Sequence, residues 1–139
     1  MLNVSTFRDT TRSTVDFLVR NLAGSLPPGL SLISVQGTDL AIREKGSETI
    51  PCMDLALVDL PESAEEYAGL VHVALDSIQT VVSRVTTGPW PTVAGAVRVV
   101  NAYSAVQGET VTCGYGTIDN PLLALPPLRL PETFGRDAR

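Results

Sequence analysis

Histidine occurs once, at His72, cysteine twice, at Cys52 and Cys113, and the ten basic residues include a single lysine, Lys45. Each scarcity removes a class of chemistry. A zinc centre draws three or four ligands from Cys, His and carboxylates, commonly in close pairs such as Cys-x-x-Cys. Cys52, His72 and Cys113 stand far apart, so no metal site is expected. Nucleophilic catalysis of the Ser-His-Asp or Cys-His kind needs a histidine beside a nucleophile. His72 has Asp76 four residues on, where the two can pair on the polar face of a helix, but the chain has no Gly-x-Ser-x-Gly elbow. His72 is read as a solvated surface residue, and no catalytic residue is assigned.

Gly-x-Gly-x-x-Gly and Gly-x-x-x-x-Gly-Lys-Ser/Thr loops are missing as well, which argues against phosphate and dinucleotide cofactors. Gly114-Tyr115-Gly116 is too short to cradle a phosphate and reads as a strand end. No cofactor and no small-molecule ligand are expected. The net charge is −5, from fifteen acids and ten scattered bases. Phosphate binding needs a clustered positive field, so no nucleic-acid partner is expected. No apolar run approaches the roughly 18 residues of a membrane span, so no membrane partner is expected either. Residues 1–20 carry Arg8, Asp9, Arg12 and Asp16 without an apolar run, unlike a secretory leader. The expectation is a cytoplasmic protein whose two cysteines are buried free thiols.

What the chain does have is an ordinary globular balance, 44% hydrophobic and 18% charged over 139 residues. That suits one domain, expected over residues 1–131, with 132–139 a disordered tail. Phe7, Thr11, Thr14, Val15, Leu18 and Leu22 recur at helical spacing, predicting a helix over 6–23 with a Thr6/Asp9 capping box and a stripe weakened by its threonines. Short strands are expected around Leu30–Val35 and Leu40–Ile42, then a Lys45-Gly46 turn into a third from Glu48 to Asp59. Cys52 to Leu60 is apolar almost throughout, and is expected at the twice-covered centre of a sheet.

The clearest element runs from 63 to 86. Ser63 and Glu66 form a capping box, and Tyr67, Val71, Ala74, Leu75, Ile78, Val81, Val82 and Val85 hold one apolar face. Asp59, Glu62, Glu65 and Glu66 lie at its start, where the helix dipole favours acids. Gly88-Pro89-Trp90-Pro91 ends it. Strands Ala96–Tyr103 and Glu109–Tyr115 follow, and then Leu122–Leu130 with Pro126 and Pro127 inside, read as an extended segment lying across the domain. The fold class is therefore α+β: two helices on a mostly antiparallel five-stranded sheet, in the order α-β-β-β-α-β-β, with an extended Pro/Leu-rich C-terminal segment.

Over residues 6–115 this order resembles that of dimeric secretion chaperones, and of small phage tail-completion proteins. Those resemblances imply a protein-binding, chaperone-like homodimer or a structural part of an assembly. No residue roles are carried over from either. Four residues are candidates for partner binding. Trp90 sits between prolines that pre-order it. Tyr103 ends a strand apolar on both faces, on which a homodimer is expected to form. Leu125 and Leu128 belong to the Leu/Pro-rich segment, which docks on its own domain or on another chain. The function expected is a non-catalytic protein-binding or adaptor domain, with an assembly component as the alternative and an enzyme last.

Overall fold

In the computed structural model, which describes residues 4–46, 49–92 and 100–134, helix α1 (Val4–Leu22) buries Phe7, Val15, Leu18 and Leu22. Thr10, Thr11 and Thr14 are buried among them. Their polarity is absorbed locally, because Thr11 and Thr14 donate to the carbonyls of Arg8 and Thr10 at 2.9 and 2.8 Å. Thr14 also shares a 2.6 Å hydrogen bond with the Tyr67 hydroxyl. The helix begins two residues before Thr6, so Thr6 lies inside its first turn and the expected Thr6/Asp9 capping box does not form.

Strands β1 (Leu30–Ile33), β2 (Asp39–Glu44) and β3 (Thr49–Asp54) make an antiparallel sheet in that order. Leu40, Ala41 and Ile42 are all buried. Pro51 sits on the edge strand β3, beside the register shift at Leu40/Ala41, where a missing N–H does least harm. The apolar run then leaves the sheet, contrary to expectation. Leu55–Leu57 form a 3-10 turn capped by Asp54, which accepts from the Ala56 N–H at 2.9 Å. Leu55 is fully buried, but Leu57 is 84% exposed and Leu60 37%. Composition alone put these leucines inside; the capping carboxylate turns the chain so that only Leu55 reaches the core.

Helix α2 (Ala64–Thr86) starts on its expected cap, with Ser63 Oγ accepting from the Glu66 N–H at 3.1 Å. The Glu66 carboxylate reaches back to the N–H of Glu62 rather than of Ser63. Val71, Ala74, Leu75, Ile78 and Val82 are fully buried, while His72 and Asp76 face outward. The helix closes on Thr87 in the left-handed region (φ 56°), ahead of the expected Gly88.

The second sheet holds β4 (Ala102–Gln107), β5 (Thr110–Gly116), β6 (Pro121–Ala124) and β7 (Leu128–Arg129), with β6 and β7 both pairing with β5. There are thus two antiparallel sheets of three and four strands, rather than one of five. The difference has two causes. α2 packs against strands of both sheets, and the extended proline-rich segment pairs with β5 as two further strands. Pro121 opens β6, and Pro126 and Pro127 fall in the gap before β7, so no proline is asked for a ladder hydrogen bond at mid-strand. Gly114 lets β6 approach, since a Cβ there would stand 2.2 Å from the Leu123 carbonyl oxygen.

Two further expectations need restating. The strand expected over Ala96–Tyr103 begins at Ala102, and residues 93–99 lie outside the described residues. The tail expected to be disordered from 132 is a 3-10 turn over Glu132–Phe134, with the Phe134 ring 6.2 Å from that of Tyr67; residues 135–139 also lie outside the described set.

Candidate functional site

Of the four residues singled out for partner binding, three are packed into the domain. Trp90 is buried, donates from Nε1 to the Ser25 carbonyl at 3.1 Å, and meets the Tyr115 ring edge-on at 5.1 Å. Gln79 Nε2 fastens the loop from the other side, donating to the carbonyls of Trp90 at 3.1 Å and Val100 at 2.5 Å. Leu125 and Leu128 are buried under β5. The Leu125 N–H donates to Cys113 O, and Leu128 pairs with Val111. Only Tyr103, half-buried on β4, lies where another chain can reach it.

Of the two cysteines expected to be buried, Cys113 is buried but Cys52, on the edge strand β3, is half-buried. Desolvation nevertheless favours the neutral form of both, as it does for Tyr67 and Tyr115. Burial pushes the Cys52 thiol up to about 12 and the Cys113 thiol to about 11, and both are free. Burial raises Tyr67 to about 12 against the opposing hydrogen bond from Thr14, and raises Tyr115 further still. Such thiols are poor nucleophiles at neutral pH, because the thiolate is the reactive form. Asp39 is perturbed the other way. Desolvation opposes its charge, but the N–H groups of Gln36 and Val35 and the Ser34 hydroxyl hold its carboxyl below the ordinary range. Its role is to tie the β1–β2 loop. Among the described residues, every buried side-chain N or O has a partner, and no cluster of His, Cys, Asp or Glu is placed to hold a metal. No helix among them is long and apolar enough to cross a membrane.

Single apolar residues such as Val35 and Val73 are exposed elsewhere, but two features combine exposure with a defined local geometry. The first is the outer edge of β4. An exposed strand edge presents unpaired N–H and C=O groups, and proteins blunt it with short strands, proline, charge or bulges. β1 has four residues, β3 carries Pro51 and a register shift, β6 opens with Pro121, and β7 has two residues. β4 has six residues, Ala-Tyr-Ser-Ala-Val-Gln, with no proline, no charge and no register shift. The Gly116 N–H donates to Asn101 O at 2.8 Å, which fixes the phase of the ladder. Tyr103, Ala105 and Gln107 therefore exchange bonds with β5, and the backbone groups of Ala102, Ser104 and Val106 point to the open edge. No strand among the described residues pairs there.

The second feature is the turn after β3, which sequence reasoning placed in the core. Leu57 and Leu60 project from it, between the carboxylates of Asp54, Asp59 and Glu62. A dense apolar stretch bounded by acids and ended by Pro61 was the available signal, and periodicity could not resolve it at this length. Comparison with known proteins adds no further residue: no family model matches the chain, nor does any curated protein or solved structure.

Proposed function

We propose that the chain is a non-catalytic, protein-binding domain of the adaptor or chaperone kind, working in the cytoplasm as a homodimer joined through β4. The observation that carries this reading is the unblunted edge of β4, set against four other strands that are short, proline-bearing or bulged. The partner strand is a second copy of the same strand. An antiparallel pair about a two-fold axis presents one patch to itself, and Ala102–Gln107 contains no charge to repel its own image. Centring the pair on Ser104 matches Ala102 with Val106 and lets all the outward backbone groups bond. Two further observations support the reading. The thiols of Cys52 and Cys113 and the Tyr67 phenol are held neutral by desolvation, and both cysteines are free, as suits a reducing compartment.

Light scattering on the purified protein tests it. The expected mass is twice the 14.8 kDa of one chain. Val106→Pro removes an outward N–H and no β4–β5 hydrogen bond, and should yield a folded monomer. A parent protein that stays at 14.8 kDa when concentrated overturns the homodimer.

A further inference from the structure

We infer that the turn from Leu55 to Leu60 is a docking knob for a cationic protein surface, with Leu57 entering an apolar recess whose rim is basic. Leu57 is 84% exposed although it lies between Leu55, which is fully buried, and Val58, which is half-buried. Its position is built rather than frayed. Leu55 anchors one side and donates its N–H to Thr38 O at 2.9 Å. Asp54 caps the turn and also accepts from Thr38 Oγ1 at 3.0 Å. Pro61 is buried and Ser63 caps α2 on the other side. A rigid turn loses little conformational freedom when it binds.

Charge selects the partner. Residues 54–66 hold five acids (Asp54, Asp59, Glu62, Glu65 and Glu66) and no base, so the rest of the chain balances at ten acids against ten bases. The whole net charge of −5 therefore resides in the segment that carries the exposed leucines. Asp54 and Glu66 are occupied in capping. Asp59, Glu62 and Glu65 are exposed, and the ion pair among the described residues lies elsewhere, between Asp16 and Arg20. The dipole of α2 favours Glu65 and Glu66 in its first turn. Contrary to expectation, Asp59 lies five residues before Ala64 and beyond its reach, and the dipole gives no reason for leucines left in water nearby. An anionic bilayer and nucleic acid would both be repelled by this segment. Exposed leucines flanked in sequence by acids that make no ion pair among the described residues fit a protein surface of opposite sign, which the same field would steer into place.

This inference rests on reading the domain as protein-binding, but on a surface other than β4. A short helical peptide of leucine and lysine serves as the probe, with a leucine–glutamate peptide as control, read by amide shifts in the intact protein. The lysine peptide should shift residues 54–66 and weaken as salt rises. Leu57→Ser with Leu60→Ser should reduce its affinity at least about tenfold. Asp59→Asn with Glu62→Gln and Glu65→Gln should weaken binding and reduce its salt dependence, since only Asp54 and Glu66 stay charged in the segment. Equal binding by the leucine variant, shifts confined to other residues, or no binding overturns the inference. Shifts at Leu57 with phosphatidylserine vesicles but not with the peptide overturn it in favour of a membrane surface. A dimeric mass without peptide binding removes the knob alone, and peptide binding by a monomer removes the β4 interface alone.

Discussion

The Tyr115 hydroxyl, on the central strand of the second sheet, donates a 2.6 Å hydrogen bond to the Leu75 carbonyl in the middle of α2. Both residues are fully buried. The bond pins helix to sheet at a point that Trp90 also reaches through its edge-on contact with the Tyr115 ring. Tyr115→Phe keeps the ring and removes the donor, and the Leu75 carbonyl retains its helical partner. The expected loss is about 0.5–1.5 kcal/mol, read as a shift of the urea midpoint with unchanged slope.

Leu75 and Asp76 are neighbours in sequence on α2, the first fully buried and the second exposed at the edge of the apolar face. Leu75→Ala should cost about 2–5 kcal/mol through lost transfer energy and a cavity. Asp76→Ala, at an exposed position, should change stability by less than about 0.5 kcal/mol. Equal effects in parallel denaturation curves would contradict the burial assigned to the two positions.

Gly114 faces the backbone of β6. A methyl group there meets the Leu123 carbonyl oxygen at 2.2 Å and the Tyr103 hydroxyl at 2.9 Å. Gly114→Ala is expected to lose about 1–3 kcal/mol and to speed amide exchange over Pro121–Ala124, because β6 must shift away from β5. Unchanged exchange would show that the strand accommodates the methyl group.

Removing residues 121–139 should destabilise the protein and promote aggregation, since β6 and β7 are the strands that flank β5 on that side. Leu125, Leu128 and Leu130 leave with them, baring Val111 and Cys113. Calorimetry together with light scattering checks this; a soluble truncated chain with the parent melting temperature would contradict it.

The raised thiols make stability fall on the alkaline side. Cys52 stands at about 12 and Cys113 at about 11 in the folded chain, against an ordinary 9.0. Below 9.0 both forms are protonated in either state and nothing is lost. Above it the unfolded chain ionises first, so it binds fewer protons and stability declines as pH rises through the folded values. Cys52→Ala with Cys113→Ala should flatten the decline between 9.0 and about 11, measured as urea midpoint against pH. The same slope in parent and variant would show that the thiols ionise alike folded and unfolded.

The sequence by itself determined the elements whose signal is local. α2 was legible in its cap, because Ser63 and Glu66 act within one turn, and in its apolar face, because long 3.6-residue periodicity has no competing reading. The α+β order and the placing of Pro51 at an edge followed from equally short-range rules. Tertiary structure decided the rest. Whether β3 and β4 share a sheet depends on where α2 lies, which no local pattern encodes. The prolines in 121–131 marked an extended segment lying across the domain, but not its pairing; β5 accepts two short strands from it because the prolines fall at an end and in a gap. Cys52 to Leu60 looked like an inner strand because hydrophobicity reports what a residue prefers, not where the chain can turn. Asp54 bends the backbone by hydrogen bonds to Ala56 and Thr38, and Thr38 is sixteen residues away. That long-range bond holds the turn on which Leu57 stands in water, and a contact between distant residues is visible only once the chain has folded.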